Sequence, residues 1–159
     1  MLERKKIRLN KLSYSQLGDY FVTICVNNKK SILSTVDGQT TKLSELGKNI
    51  QKDWFLIENN YPGIKTISIV FMPNHIHAVI QIIDDYQINN IVDFIGSFKS
   101  KSTVTYLRGI KKNKWRNTVY SLWQRSFHDR ILRNQNEFDA AIDYISNNPL
   151  KWPTDKYNT

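Results

Sequence analysis

His75 and His77 are the residues of this 159-residue chain whose types and spacing most directly suggest chemistry. They lie in the run from Ile67 to Ile83, which is rich in β-branched residues and interrupted at Met72-Pro73-Asn74. Pro73 fixes its own φ and brings no N–H to a ladder, so the break separates two segments that read as strands. Side chains two apart on a strand share a face. Both imidazoles therefore point the same way, followed on that face by Val79 and Gln81, while Ile76, Ala78, Ile80 and Ile82 form a core face. Two neighbouring imidazoles are half of a metal site, or else a hydrogen-bonded pair near a sheet surface. The pair alone leaves both open.

A second group lies towards the C-terminus. Tyr144 and Asn148 are four residues apart, which stacks them on one face of a helix. They lie off the apolar stripe of Phe138, Ala141, Ile142 and Ile145. If this helix packs beside the start of the histidine strand, a phenol and a neutral amide oxygen reach the two imidazoles. The plainer alternative for Tyr144 is an amphipathic side chain at a helix edge. Asn148 precedes Pro149, which disfavours α geometry at Asn148.

A third feature is electrostatic. No acidic residue occurs between Phe94 and His128, and the stretch holds Lys99, Lys101, Arg108, Lys111, Lys112, Lys114, Arg116 and Arg125. Tyr106, Trp115 and Trp123 are interleaved. Cations neutralise phosphates and aromatic rings stack on unpaired bases, so the stretch has the chemistry of a single-strand groove. A basic loop over two core tryptophans is the alternative. Residues 1–17 add Arg4, Lys5, Lys6, Arg8 and Lys11, either an arm along phosphates or a solubilising tail.

These groups need elements to position them. Tyr20–Val26 reads as a first strand, Asn27–Lys30 as a turn and Ile32-Leu33 as a short second strand, with Thr35–Gly38 as loop. Leu43, Leu46, Ile50, Trp54 and Ile57 recur at helical spacing, predicting a helix over 42–60 with Thr41 or Ser44 as its cap and Trp54 in the core. Strands over 66–71 and 75–83 follow, the second ending at Asp84-Asp85. A helix over 90–108 carries Ile91, Phe94, Ile95, Phe98 and Leu107, with Gly96 and Thr103-Val104-Thr105 weakening its middle. A last strand covers 126–132. Asn134, three before Glu137, opens the final helix like a capping box, and Pro149 closes it.

The length suggests one domain, with 152–159 as a short tail, and 40% hydrophobic content is adequate for a core. A net charge of +9 implies an anionic partner, nucleic acid before acidic membrane. A single cysteine, Cys25, excludes an internal disulfide and a cysteine-based zinc cage, and fits a reducing, cytoplasmic setting. No apolar run approaches the roughly 18 residues of a spanning helix, and no apolar core follows the basic start.

Taken together, Met72-Pro73-Asn74-His75-Ile76-His77-Ala78-Val79, Leu122-Trp123-Gln124-Arg125-Ser126-Phe127-His128-Asp129 and Ile142-Asp143-Tyr144-Ile145-Ser146-Asn147-Asn148-Pro149-Leu150-Lys151 resemble the REP-associated tyrosine transposases. These are single-tyrosine HUH transposases of the insertion-sequence-200 type. Gly18-Asp19-Tyr20-Phe21-Val22-Thr23-Ile24 is similar too, so the resemblance spans 18–151. It implies an α+β, ferredoxin-like fold, an antiparallel sheet with helices packed on it and His75 and His77 on a central strand. It implies Tyr144 as nucleophile, Asn148 as third metal ligand beside the histidines, and Mg²⁺ or Mn²⁺ as the metal. It also implies cleavage of single-stranded DNA beside hairpins through a 5′-phosphotyrosine, by a monomer or a homodimer. His128, Asp129 and Lys151 fall in or beside the motifs without a fixed role, and the C-terminal extension of many such proteins is nearly absent. A non-catalytic DNA-binding module and a metal-dependent phosphodiesterase are the competing readings.

Overall fold

The structure, a computed structural model, describes residues 17–83 and 90–158. The cations of the N-terminal basic arm and the Asp84-Asp85 stop lie outside the described residues. Six strands and three α-helices occur among those described: β1 (Gly18–Cys25), β2 (Ser34–Asp37), β3 (Thr40–Leu43), α1 (Glu45–Glu58), β4 (Ile64–Phe71), β5 (His75–Ile82), α2 (Ile91–Lys111), β6 (His128–Leu132) and α3 (Gln135–Asn147). The main sheet has the order β4-β5-β1-β6 with every neighbouring pair antiparallel. With the β2-β3 hairpin set aside, the chain runs β-α-β-β-α-β, the ferredoxin-like arrangement the resemblance implied. β5 is an inner strand, as expected. No helix among the described residues is long and apolar enough to cross a membrane.

The sheet separates two layers. On one face Tyr20, Val22 and Ile24 of β1 meet Ile80, Ala78 and Ile76 of β5 and disappear beneath α1 and α2. Trp54 joins those helices: its ring meets Phe94 and Phe98 edge-on at 5.1 and 4.9 Å, and its Nε1 donates to Thr66 Oγ1 at 2.8 Å. On the other face Phe21, Val70, Val79 and Leu132 receive Phe138, Ala141, Ile142 and Ile145 of α3. The histidines lie on this second, smaller side.

Several sequence expectations are corrected. Ile32-Leu33 is not a strand; Leu33 is buried, but its backbone bonds to Pro73 and Ser44. The predicted loop over 35–38 belongs to the β2-β3 hairpin, which turns through Gly38-Gln39. Gly38 adopts φ +61° there, at the first position of a two-residue loop, where glycine is favoured. Ser44 caps α1 by accepting from Gly47 N, so Lys42 and Leu43 fall in β3 instead of the helix. In α2, Gly96 and Thr103–Thr105 do not interrupt the helix, because burial of Phe94, Ile95, Phe98 and Tyr106 outweighs local propensity. Leu107, assigned to its apolar stripe, is 53% exposed. β6 starts at His128, two residues later than predicted.

Candidate active site

β5 begins at His75, directly after the Pro73 break, and both imidazoles are fully buried with centroids 4.5 Å apart. Register explains their surroundings. His77 pairs with Thr23 and His75 with Cys25, and paired residues share a face. Thr23 Oγ1 lies 2.8 Å from His77 Nδ1, and Asn74 Oδ1 lies 2.8 Å from His75 Nδ1. Phe21, two residues before Thr23, stacks on His77 at 5.2 Å.

α3 carries the second half of the site. Its start is fixed by Asn134, whose Oδ1 accepts from Glu137 N, while Glu137 Oε2 accepts from Arg133 N. Its apolar stripe seats it on Phe21, Val79 and Leu132, which turns the next face towards the histidines. Tyr144 meets His77 edge-on at 5.2 Å and Phe21 at 5.8 Å. Asn148 is buried at the helix end. It keeps φ −59° and ψ −42° despite Pro149, so the expected departure from α geometry does not occur.

Three buried atoms here have no hydrogen-bond partner: His75 Nε2, His77 Nε2 and Asn148 Oδ1. A buried polar atom left without a partner is costly. Two imidazole nitrogens and an amide oxygen suit a divalent cation. Among the described residues no three His, Cys, Asp or Glu come together in a metal-holding group. Burial holds His75 down to about 4, eased by Asp155 and by Asn148 and reinforced by Lys156. Burial, then His75 and Lys156, hold His77 down to about 2. Both rings are thus neutral at neutral pH, the form that binds metals. Burial and Asp155 raise Tyr144, while a hydrogen bond from Asn148 lowers it. Cys25 is a buried thiol pushed up by desolvation and is not poised as a nucleophile.

The short tail, which the sequence left without a task, lies over this site. Tyr157 lies tilted against His75 at 4.4 Å and stands 5.9 Å from His77, and Trp152 stands 6.1 Å from His75. Burial, then Cys25, Tyr144 and Asp155, push the Tyr157 phenol up to about 12. By register His128 shares the face of Thr23 and His77, whereas Asp129 pairs with Val22 on the opposite face. Lys151 is exposed just beyond α3. Arg130, paired with Phe21, places its guanidinium 5.4 Å from that ring, close to the nucleophile candidate.

The basic stretch divides. Arg108, Lys111, Lys112, Lys114 and Arg116 are exposed on the end of α2 and the loop that follows. Lys99 and Arg125 line a cleft of about 420 Å³ with Ser121, Trp123 and Gln124, and Lys99 Nζ donates to Gln124 O and Ser126 O at 2.8 Å each. Lys101 lines a different cavity, with Tyr61, Asp93 and Ser97. The interleaved aromatics are not stacking platforms. Tyr106 and Trp123 are buried, and Trp115 packs against Gly109 and donates to Tyr106 O. The loop aromatic left in solvent is Tyr120, 100% exposed, which the sequence reading passed over. Thr23, Asn74, Phe21, Arg130 and Tyr157 were also missed as site residues. Cross-strand register, unknown from sequence, gathers Thr23, Phe21 and Arg130, whereas Asn74 is the sequence neighbour of His75.

The sequence profile of the family described as Transposase IS200 like matches residues 14–148. The chain belongs to this family. An uncharacterized protein of Haemophilus influenzae is 27% identical over 96% of this chain and 92% of its own length. A second H. influenzae protein, described as a REP-associated tyrosine transposase, is 27% identical over 58% of this chain and 52% of its own. The fold matches a REP-associated tyrosine transposase bound to a REP hairpin, with TM-score 0.67 and 19% identity over 87% of this chain and 70% of that one. It also matches a Deinococcus radiodurans protein described as a transposase, with TM-score 0.56 and 15% identity over 83% and 91%.

Proposed function

We propose that this IS200-like transposase is a divalent-metal-dependent single-strand DNA endonuclease and strand transferase that cuts beside hairpin DNA through a 5′-phosphotyrosine at Tyr144. The observation that carries the proposal is the convergence, within one chain, of the Tyr144 phenol on His77 beside three orphaned buried donor atoms. A related fold bound to a REP hairpin supports the choice of DNA, as does the exposed basic surface.

His75 Nε2, His77 Nε2 and Asn148 Oδ1 would hold Mg²⁺ or Mn²⁺, which when bound supplies Lewis-acid polarisation of a phosphate oxygen. The chain's own residues do the rest. α3 and Phe21 hold the Tyr144 ring in one orientation, replacing a bimolecular encounter with a positioned one. Its oxygen forms a bond to phosphorus, the bond from phosphorus to the 3′ oxygen breaks, and the phenolic proton is balanced on the departing 3′-OH. One phosphoester replaces another, so no ATP is consumed and a different 3′-OH can reverse the step. Exposed cations such as Lys112 and Arg116 bind the backbone without reading sequence. Because Tyr144 and the histidines come from the same chain, a monomer holds every group named here.

The test is a covalent-adduct assay on single-stranded hairpin oligonucleotides with Mn²⁺ or Mg²⁺. Wild type should give a denaturant-resistant protein–DNA band and a free 3′-OH fragment, and Tyr144→Phe should give neither. An adduct that survives that substitution would remove Tyr144 from the chemistry. Turnover of a small phosphodiester with no adduct would favour a plain phosphodiesterase.

A further inference from the structure

The hydrogen-bonding chemistry around Asn74 can be assigned without ambiguity. Its Nδ2 faces two backbone carbonyls, Tyr157 O at 2.7 Å and Lys29 O at 3.3 Å. Carbonyl oxygens only accept, so the donor end of the amide points at them and Oδ1 points at His75 Nδ1. An amide oxygen only accepts in turn, so His75 Nδ1 must carry the proton. The ring, neutral because it is buried, then has its lone pair on Nε2, the atom left without a partner. The Thr23 contact to His77 fixes nothing comparable, since a hydroxyl can donate or accept. Asn74 is itself 2% exposed, so water does not compete for its bonds.

We infer that Asn74 is a positioning residue with two linked tasks: it locks His75 in the Nδ1–H tautomer that presents Nε2 to a metal, and through the same amide it seats the C-terminal segment whose Tyr157 covers that ring. The metal half of this inference rests on the proposed function; the tautomer half does not. Two aromatic contacts, from Tyr157 and Trp152, then flank a ring whose rotation Asn74 already restrains. Partners of this kind typically alter metal affinity by about 10- to 100-fold.

The experiment is ¹⁵N long-range NMR of the histidines in the metal-free full chain at pH 8, with Mn²⁺ affinity measured by calorimetry. Wild-type His75 should show a protonated Nδ1 and a bare Nε2. Asn74→Leu should mix the tautomers and weaken Mn²⁺ binding by about 10- to 100-fold. Asn74→Asp separates the tasks: its carboxylate still accepts from Nδ1–H and keeps the tautomer, but it offers no donor to Tyr157 O, so backbone amide exchange over 152–158 should accelerate. A protonated Nε2 in the wild type would overturn the inference even if no variant folded. An unchanged tautomer and affinity in folded Asn74→Leu would do so as well. Absence of DNA cleavage by the wild type with the tautomer intact would instead count against the nuclease proposal alone.

Discussion

Burying two histidines as neutral rings makes the stability of the metal-free protein depend on acid. In the unfolded chain each imidazole titrates near 6.5, whereas in the folded chain His75 is held to about 4 and His77 to about 2. Between those values the unfolded chain binds more protons than the native one, so stability is complete above about pH 6.5 and is lost as the pH falls towards the folded values. At pH 5 the medium lies about 1.5 units below the unfolded value, and each unit is worth about 1.4 kcal/mol per ring, or about 2 kcal/mol each and about 4 kcal/mol together. That is a large share of a typical total of about 5–15 kcal/mol. With a urea m-value of about 2 kcal/mol/M, the midpoint should drop by about 2 M between pH 7.5 and pH 5. Asp53, whose carboxyl is raised chiefly by burial, works in the opposite direction. The assay is urea unfolding followed by tryptophan fluorescence in chelator. A His75→Gln, His77→Gln double variant should show a much flatter pH profile. A wild-type midpoint that does not move, or one that falls equally in the double variant, would refute the assignment of these rings as neutral and buried.

Other outcomes follow from single contacts. Mn²⁺ at 100 times its dissociation constant should stabilise the wild type by about 2.7 kcal/mol in thermal melts, and His75→Ala or Asn148→Ala should erase most of that gain. Gly96→Ala should stabilise α2 by about 0.5–1 kcal/mol, because a Cβ there meets nothing within 4 Å. Gly47→Ala should instead destabilise by about 1–3 kcal/mol, because its Cβ would fall 2.0 Å from Leu33 O; paired urea titrations would show the opposite signs. Lys99→Ala should cost about 1–3 kcal/mol of stability through its two carbonyl bonds. Exposed Lys112→Ala should leave stability within about 0.5 kcal/mol and lower the salt slope of DNA binding by about 1.

Much of this architecture was readable because burial leaves a periodic trace. Alternation assigned Ile76, Ala78, Ile80 and Ile82 to the core, and all four are buried. The four-residue spacing of Tyr144 and Asn148 placed them together, and α3 delivers both to the histidines. Local propensity failed where tertiary contacts decide. The hairpin at Gly38 was hidden by a polar sequence, and α2 ignores its own weak middle because aromatic burial holds it. Tyr106, Trp115 and Trp123 illustrate another limit: an aromatic ring beside lysines looks the same in sequence whether it faces bases or the core. Thr23 could not be identified as a ring partner of His77 without knowing that β1 lies beside β5. Tyr157 could not be placed over His75 without the path of the chain after Pro149.

The two-sidedness of β5 also restricts which changes in length the protein can absorb. Edge strand β4 accommodates an irregularity between Thr66 and Ser68, where one residue more or less is taken up by a local bend. β5 is paired on both sides and has no such slack. Inserting a single residue within 75–77 would trade the two populations of side chains, sending an imidazole into the oily layer and an isoleucine to the face that α3 covers. Substitutions can therefore retune this centre one atom at a time, whereas a lone codon gained or lost there would abolish it together with the core beneath.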